Sequence, residues 1–328
     1  MIDAGAIRHL SCEQFFQALQ GSGRKVVRVA GGSLWIEADR FAFQRYPTDC
    51  LSKPSVGEVE KVFRHAKVSV SPLVVSFLLS PTLERPANAV LYLARERDYC
   101  LENLSKPARR DVRRALRELT FEPVELPALV GSGFGAFNDT RSRAGLSDGT
   151  FHNFRSLCRA VEGANGAAIG AWRGSTLVGF MFVQMVDGFA EIVGSYSMTD
   201  YRTFCPTDGL AYVLLSCLLC QSNVRAVSYG LSSIQPATSL EGLHHFKLKV
   251  GFEAVPVHRA FVVRKVLRPF VTRPVRHGLH AVLRLCPGQR MLRKLVGMLD
   301  SAGTLVYENC GSFRDDDVSL GATGWRGK

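Results

Sequence analysis

The sequence predicts an α/β (α+β) fold built on one mixed sheet. Three observations predict it. Residues 168–196 hold three apolar runs separated by Gly174-Ser175 and Asp187-Gly188, the signals of an antiparallel meander. Residues 105–119 carry apolar side chains at helical spacing opposite a dense basic face. After residue 206 the pattern runs helix, strand, helix, strand.

Taken in order, Ser11 is a helix N-cap for a short helix through Leu19. Lys25 to Val29 and Ser33 to Ala38 read as paired strands around Gly31-Gly32. Val56 to Ala66 reads as helix, Val68 to Leu79 contains an apolar strand, and Ala89 to Leu93 is another strand. Ser105 caps the next helix, and Pro107 is tolerated in its first turn. Leu104, Ala108, Val112, Ala115, Leu116 and Leu119 mark its buried side. Lys106, Arg109, Arg110, Arg113, Arg114 and Arg117 form its basic side, which is either an ordinary solvated face or a phosphate contact. Gly131-Ser132-Gly133-Phe134-Gly135 reads as a loop, because it lacks the dinucleotide fingerprint.

Strands over Ala168–Arg173, Leu177–Val186 and Ala190–Tyr196 precede an apolar helix from about Leu210 to Gln221. Val224 to Leu231 and Ala260 to Lys265 are the remaining strands. Between them lies a short helix in which Leu240, Leu243, Phe246 and Val250 share a face. Gly251 sits where a left-handed C-cap is wanted, and Phe252 is placed to fold back on that face. Lys247 falls about one hundred degrees from Phe246, at the edge of the apolar stripe. It is either a solvated lysine near a helix C-terminus or a partly desolvated one aimed at a ligand.

Composition narrows the class. The 328 residues suffice for two domains, and 46% hydrophobic with 21% charged is a globular balance. The net charge of +12 is concentrated late in the chain. Ala254 to Leu299 contains ten Lys and Arg and no Asp or Glu. The N-terminus does not read as a secretory signal, and the apolar stretch from Val68 is too short to span a bilayer. Nine irregularly spaced cysteines argue against a disulfide framework and for a reducing cytoplasm. Cys217 and Cys220 lack a second metal-spaced pair and read as small core residues, so no metal is expected. No Ser-His-Asp elbow is present, which leaves hydrolase chemistry without a motif.

Four stretches carry a resemblance to a known family. They are Arg109, Val112, Arg113, Arg114 and Ala115 on the basic helix; the hairpin 167–186 with Gly179; Val227-Ser228-Tyr229-Gly230; and Gly242-Leu243, Phe246-Lys247 and Gly251-Phe252. Together they resemble the C-terminal half of the GNAT acyltransferase fold, in its FemAB-like branch that includes BioF2-like acetyltransferases. The last motif is the most specific, and the resemblance covers roughly residues 90–265. It implies two tandem GNAT-like halves, with residues 1–90 the first and degenerate and 91–265 the acyltransferase domain. Residues 266–309 then form a basic amphipathic helical segment, and 310–328 a disordered tail.

The resemblance implies acyl transfer to an amine or hydroxyl from a thioester or tRNA-ester donor. Lys247 would stabilise charge on the donor carbonyl or leaving group, and Tyr229 would line the cleft or relay a proton. His245 is the histidine expected to face the cleft, with His244 solvated, and Glu191 stands where many GNAT enzymes place a base. Arg202, Thr207, Asp208, Gly209 and Phe246 would contact the donor. One departure bears on the donor. The frame starting at Arg202 has Cys205 and Thr207 where the family's phosphate loop has glycine or alanine, and Pro206 lacks an amide hydrogen. Acetyl-CoA or another acyl-CoA, acyl carrier protein and aminoacyl-tRNA therefore all stay open as donors. The alternative is a catalytically silent module that binds RNA or an anionic membrane. Residues 266–299, with apolar and basic faces side by side, are either a helical hairpin packed on the domain with a solvated basic rim or a segment that meets the inner face of a membrane.

Overall fold

A computed structural model describes residues 4–29, 33–39, 42–64, 73–146, 149–232, 241–264 and 273–286, with residues 289, 292, 296 and 297. The mixed sheet expected from the sequence is present. Twelve strands join one sheet, and eleven of them follow each other edge to edge.

The first half is built by α1 (Cys12–Gly21), β2 (Val26–Arg28), β3 (Leu34–Asp39), β4 (Ala42–Tyr46), α2 (Val56–Arg64) and β5 (Val74–Leu79), after a short β1 (His9–Leu10). Ser11 and Gln14 cap α1 reciprocally, which satisfies two otherwise orphaned amides. β2, β3 and β4 run antiparallel, and β4 lies parallel to β5 with α2 as the crossover. Val59 and Val62 of α2 pack on Trp35, Val75 and Phe77. β4 was not expected from the sequence, because Gln44 and Arg45 break its apolar pattern. Arg45 is nonetheless buried, bonded to Ser33 and Ser52 and paired with Glu58.

The second half comprises β6 (Ala89–Ala94), α3 (Lys106–Glu118), β7 (Thr120–Val124), α4 (Leu126–Ser132), α5 (Phe134–Arg143), α6 (Phe151–Gly163), β8 (Ala167–Arg173), β9 (Thr176–Val186), β10 (Phe189–Ser197), α7 (Pro206–Leu219), β11 (Ala226–Leu231), α8 (Glu241–Lys249) and β12 (Glu253–Val263). The sheet order is β2-β3-β4-β5-β12-β6-β11-β10-β9-β8-β7. The two halves share β12, whose residues 253–257 pair with β6 and 258–263 with β5. The expected strand Ala260–Lys265 is therefore the second part of a longer one. Asp187 and Gly188 both take positive φ, as the two-residue hairpin between β9 and β10 requires.

Several expectations are corrected. The stretch Gly131–Gly135 is not a loop: α4 ends at Ser132 and α5 starts at Phe134, with Gly133 packed against Leu129 and Phe154. Leu116 lies exposed on α3, while Ala108, Val112 and Ala115 face α7. Cys220, just past the end of α7, is exposed and Cys217 half-buried, because Leu218 and Leu219 take the core-facing positions of the last turn. The Val68–Leu79 run keeps only β5 among the described residues. The tail 310–328 and most of 287–309 lie outside them.

Two helical layers cover the second half. α3 packs on α7, which is buried on nearly all sides and fills one face of the sheet. α4, α5 and α6 cover the other face through Phe137, Phe154, Phe180 and Phe182. Gly209 permits the close α3–α7 contact, since a Cβ there would meet Ala115 at 2.7 Å and the Phe121 ring.

Candidate active site between two parting strands

β10 and β11 are parallel neighbours over three residue pairs, ending at Glu191 and Ser228. β10 then bulges between Ile192 and Gly194, and its remainder through Ser197 stays with β9. β11 continues along β6, with Leu231 opposite Leu91. The two strands therefore stop pairing halfway along, and a bulge at that point re-aims the side chains beyond it. A cavity of about 520 Å³ lies there. Ser195 and Ser197 come from β10, Tyr229 from β11, Thr207 and Asp208 from the start of α7, and Leu243 and Phe246 from α8. That volume falls in the range of small-molecule sites.

Tyr229 forms the inner wall. Its ring stands edge-on to Phe246 (5.9 Å) and Phe252 (5.3 Å). Burial pushes the phenol up to about 12, against the opposing effect of a hydrogen bond with the Ser195 side chain. Lys247 sits behind this wall. It is 3% exposed, and its Nζ donates to the Tyr229 carbonyl oxygen at 3.0 Å. The ammonium also lies 4.0 Å from the Tyr92 ring centre and 4.9 Å from that of Tyr229. Desolvation pulls it down to about 8. The expected position at the edge of the apolar stripe is thus corrected to a buried one, because two aromatic faces and a carbonyl stand in for water.

The turn after α8 explains how Lys247 is held. The Phe252 amide donates to the Lys247 carbonyl and the Gly251 amide to that of Leu248. With Gly251 at φ +100°, this is a Schellman closure, and Phe252 folds under Tyr229. Leu243, expected on the buried face, is exposed, and Phe246, Lys247 and Val250 turn inward instead.

α7 starts from Cys205 in the left-handed region, with no side-chain cap. The first amides of a helix have no intrahelical partner and carry partial positive charge. Pro206 removes one of them, and the Gly209 amide bonds the Cys205 carbonyl, so Thr207 and Asp208 hold the remainder. Asp208 does not stand alone at this end: Lys249 bonds it and also Asp111 of α3, the latter at 2.8 Å. Gly209 faces α3 and does not line the cavity. Arg202 is at the exposed mouth.

The remaining expected residues lie elsewhere. Glu191 opposes Gln184, whose amide bonds the α6 end at Ala164, while its neighbours Ala190 and Ile192 face α7. Alternation along the strand therefore turns Glu191 to the opposite face of the sheet. Burial there raises its carboxyl to about 7, and the Asp49 charge adds to the shift. His245 is exposed, contrary to its expected facing. His244 is the half-buried one, with Nδ1 2.8 Å from the Tyr92 hydroxyl. The two histidines exchange burial because the helix turns Lys247, not Leu243, inward, and neither lines the cavity.

Sequence reasoning did not find Thr140 and Arg143 at the cavity wall. Arg143 donates to the Ser197 carbonyl and Thr199 hydroxyl, both at 2.8 Å, and pairs with Asp139. Its last-turn position on α5 gave no signal. The basic face of α3 lines a separate groove of about 1070 Å³. It approaches the cavity closely enough that Arg114 acts on the Cys205 thiol, which burial otherwise raises. Among the described residues, no group of three or more His, Cys, Asp or Glu is placed to hold a metal ion, and no helix is long and apolar enough to cross a membrane.

No family model matches the sequence, and no curated protein matches it. Solved structures do resemble the fold. The C-terminal domain of a protein provisionally assigned as a lysylphosphatidylglycerol synthetase, from Agrobacterium fabrum, is 14% identical with a TM-score of 0.50, covering 76% of this chain and 86% of that one. FemX is 10% identical with a TM-score of 0.49, over 73% of this chain and 88% of its own. L-PGS from Bacillus licheniformis is 16% identical with a TM-score of 0.47, over 80% and 95%. The chain shares its fold with the Agrobacterium domain.

Proposed function

We propose that this protein transfers an acyl or aminoacyl group to an amine or hydroxyl acceptor in the cavity between β10 and β11. The observation that carries the reading is the Tyr229 phenol in that cavity, backed by the buried Lys247 ammonium. In such a transfer the acceptor attacks the donor carbonyl carbon, charge develops on the carbonyl oxygen, and the leaving thiol or hydroxyl takes up a proton. A phenol raised to about 12 stays protonated at neutral pH and can donate to either oxygen or sulfur. Lys247 acts through Tyr229: it fixes the end of β11 and places a positive charge behind the wall. Asp208 supplies a carboxylate in the cavity lining, held by Lys249.

The donor reading includes acyl-CoA, acyl carrier protein and aminoacyl-tRNA. All three are anionic carriers, and the basic groove of α3 beside the cavity mouth suits any of them. The name carried by the similar Agrobacterium domain supports keeping an aminoacyl donor in the test. A catalytically silent module that binds RNA or an anionic surface is the second reading. Pro206 and Asp208 favour it, since both weaken an anion site at the start of α7.

The experiment is donor consumption by the full chain. Acetyl-CoA, an acylated carrier protein and aminoacyl-tRNA are each incubated with a mixture of primary amines and alcohols. Release of free thiol or deacylated tRNA, with an acceptor mass gain, supports the transferase. Stoichiometric binding of one carrier without any turnover supports the silent module.

A further inference from the structure

We propose that α9 (Arg273–Leu285) docks this protein on an anionic lipid surface. Three observations lead there. First, Val275, Leu279, Val282 and Leu283 fall within about a 100° arc of the helix, with Arg276 at a position beside it and Arg273 and Arg284 at positions across from it. Second, one edge of that arc is open: Val282 is 48% exposed, Leu285 82%, and Cys286 is exposed too, while Val275, Leu279 and Leu283 are half-buried. A surface helix of a soluble protein ordinarily turns its large apolar side chains to the core. Third, from residue 265 to 299 the sequence has eight Lys and Arg and no Asp or Glu.

Apolar and basic arcs side by side on one helix fit the boundary of an anionic bilayer. The apolar side chains enter the acyl region, and the arginines meet the headgroups. RNA fits less well. Single strands are held by stacking on aromatic rings, and α9 has no Phe, Tyr or Trp. A second copy fits less well again, because an isologous pairing would bring two acid-free segments together. The inference does not depend on acyl transfer, since vesicle binding is read without turnover.

The test is cosedimentation of the full chain with vesicles of phosphatidylcholine alone and of phosphatidylcholine with phosphatidylglycerol, at low and high salt. Binding at least about tenfold stronger to the anionic vesicles, and weakened by salt, is expected. The pair Val282→Gln and Leu285→Gln removes the apolar contact without changing charge. The pair Arg276→Glu and Arg284→Glu removes the charge complementarity. Each pair is expected to lower binding about tenfold or more with an unchanged circular dichroism spectrum. Equal binding to both vesicle types, binding to neither, or wild-type binding by either pair overturns the proposal. So does tighter binding to a single-stranded RNA than to the anionic vesicles.

Discussion

Lys247 donates from Nζ to the backbone carbonyl of Tyr229 at 3.0 Å, which ties the last turns of α8 to the end of β11. The bond lies where β11 parts from β10. It places a buried charge behind the wall of the cavity, and several consequences can be measured.

Lys247 ordinarily titrates at 10.5 and is pulled down to about 8 by desolvation. Between those values the unfolded chain binds more protons than the folded one, so stability rises with pH across that window. Lys247→Met keeps the apolar stem and removes the charge. Thermal melts from pH 7 to 10.5 are expected to lose that rise while the fold is retained. Turnover by the wild type is expected to fall as pH rises through about 8, where the ammonium is lost. The Met variant is expected to be slower by about tenfold or more with no such inflection.

Glu191 has the opposite sign. Burial lifts its carboxyl from 4.5 to about 7, so the folded state holds the proton that the unfolded state has released. Stability contributed at this site is present below 4.5 and is lost as pH rises to about 7. Glu191→Gln, a neutral mimic of the protonated acid, is expected to melt higher than wild type at pH 8 and equally at pH 4. Because Glu191 faces away from the cavity, its turnover at pH 8 is expected to match wild type.

Gly209→Ala places a methyl 2.7 Å from Ala115 and against the Phe121 ring. The helices α3 and α7 have to separate, at a cost of roughly 1–3 kcal/mol. Denaturant unfolding is expected to show that loss. A variant as stable as wild type would mean that the α3–α7 contact is looser than described.

Much of this was legible in the sequence, and the exceptions have physical causes. The meander 167–197 was readable because Gly174 and Asp187-Gly188 announce their turns. The cap at Ser11 and the Gly251-Phe252 closure were readable because local hydrogen bonding dictates both. β4 and the first part of β12 were not, since Arg45, Glu253 and Pro256 interrupt the apolar pattern and only tertiary partners accommodate them. The facing of α8 was misread for the same reason. A lysine between two tyrosine rings counts as apolar surface, which no periodicity of residue types reveals. Tyr229, Thr207, Asp208, Arg202 and Phe246 all line the cavity. Arg143 and Thr140 arrive from α5, a helix that the sequence pattern did not disclose.

The most direct test of the central claim is turnover by Tyr229→Phe with the donor that the full chain consumes. The ring contacts with Phe246 and Phe252 survive this change, and only the hydroxyl in the cavity is lost. A proton donor at the reacting group is worth about 10²–10⁴ in rate. Acyl transfer in this cavity predicts a fall in kcat of about a hundredfold or more with an unchanged melting temperature. Wild-type kcat in a folded Tyr229→Phe protein would contradict it.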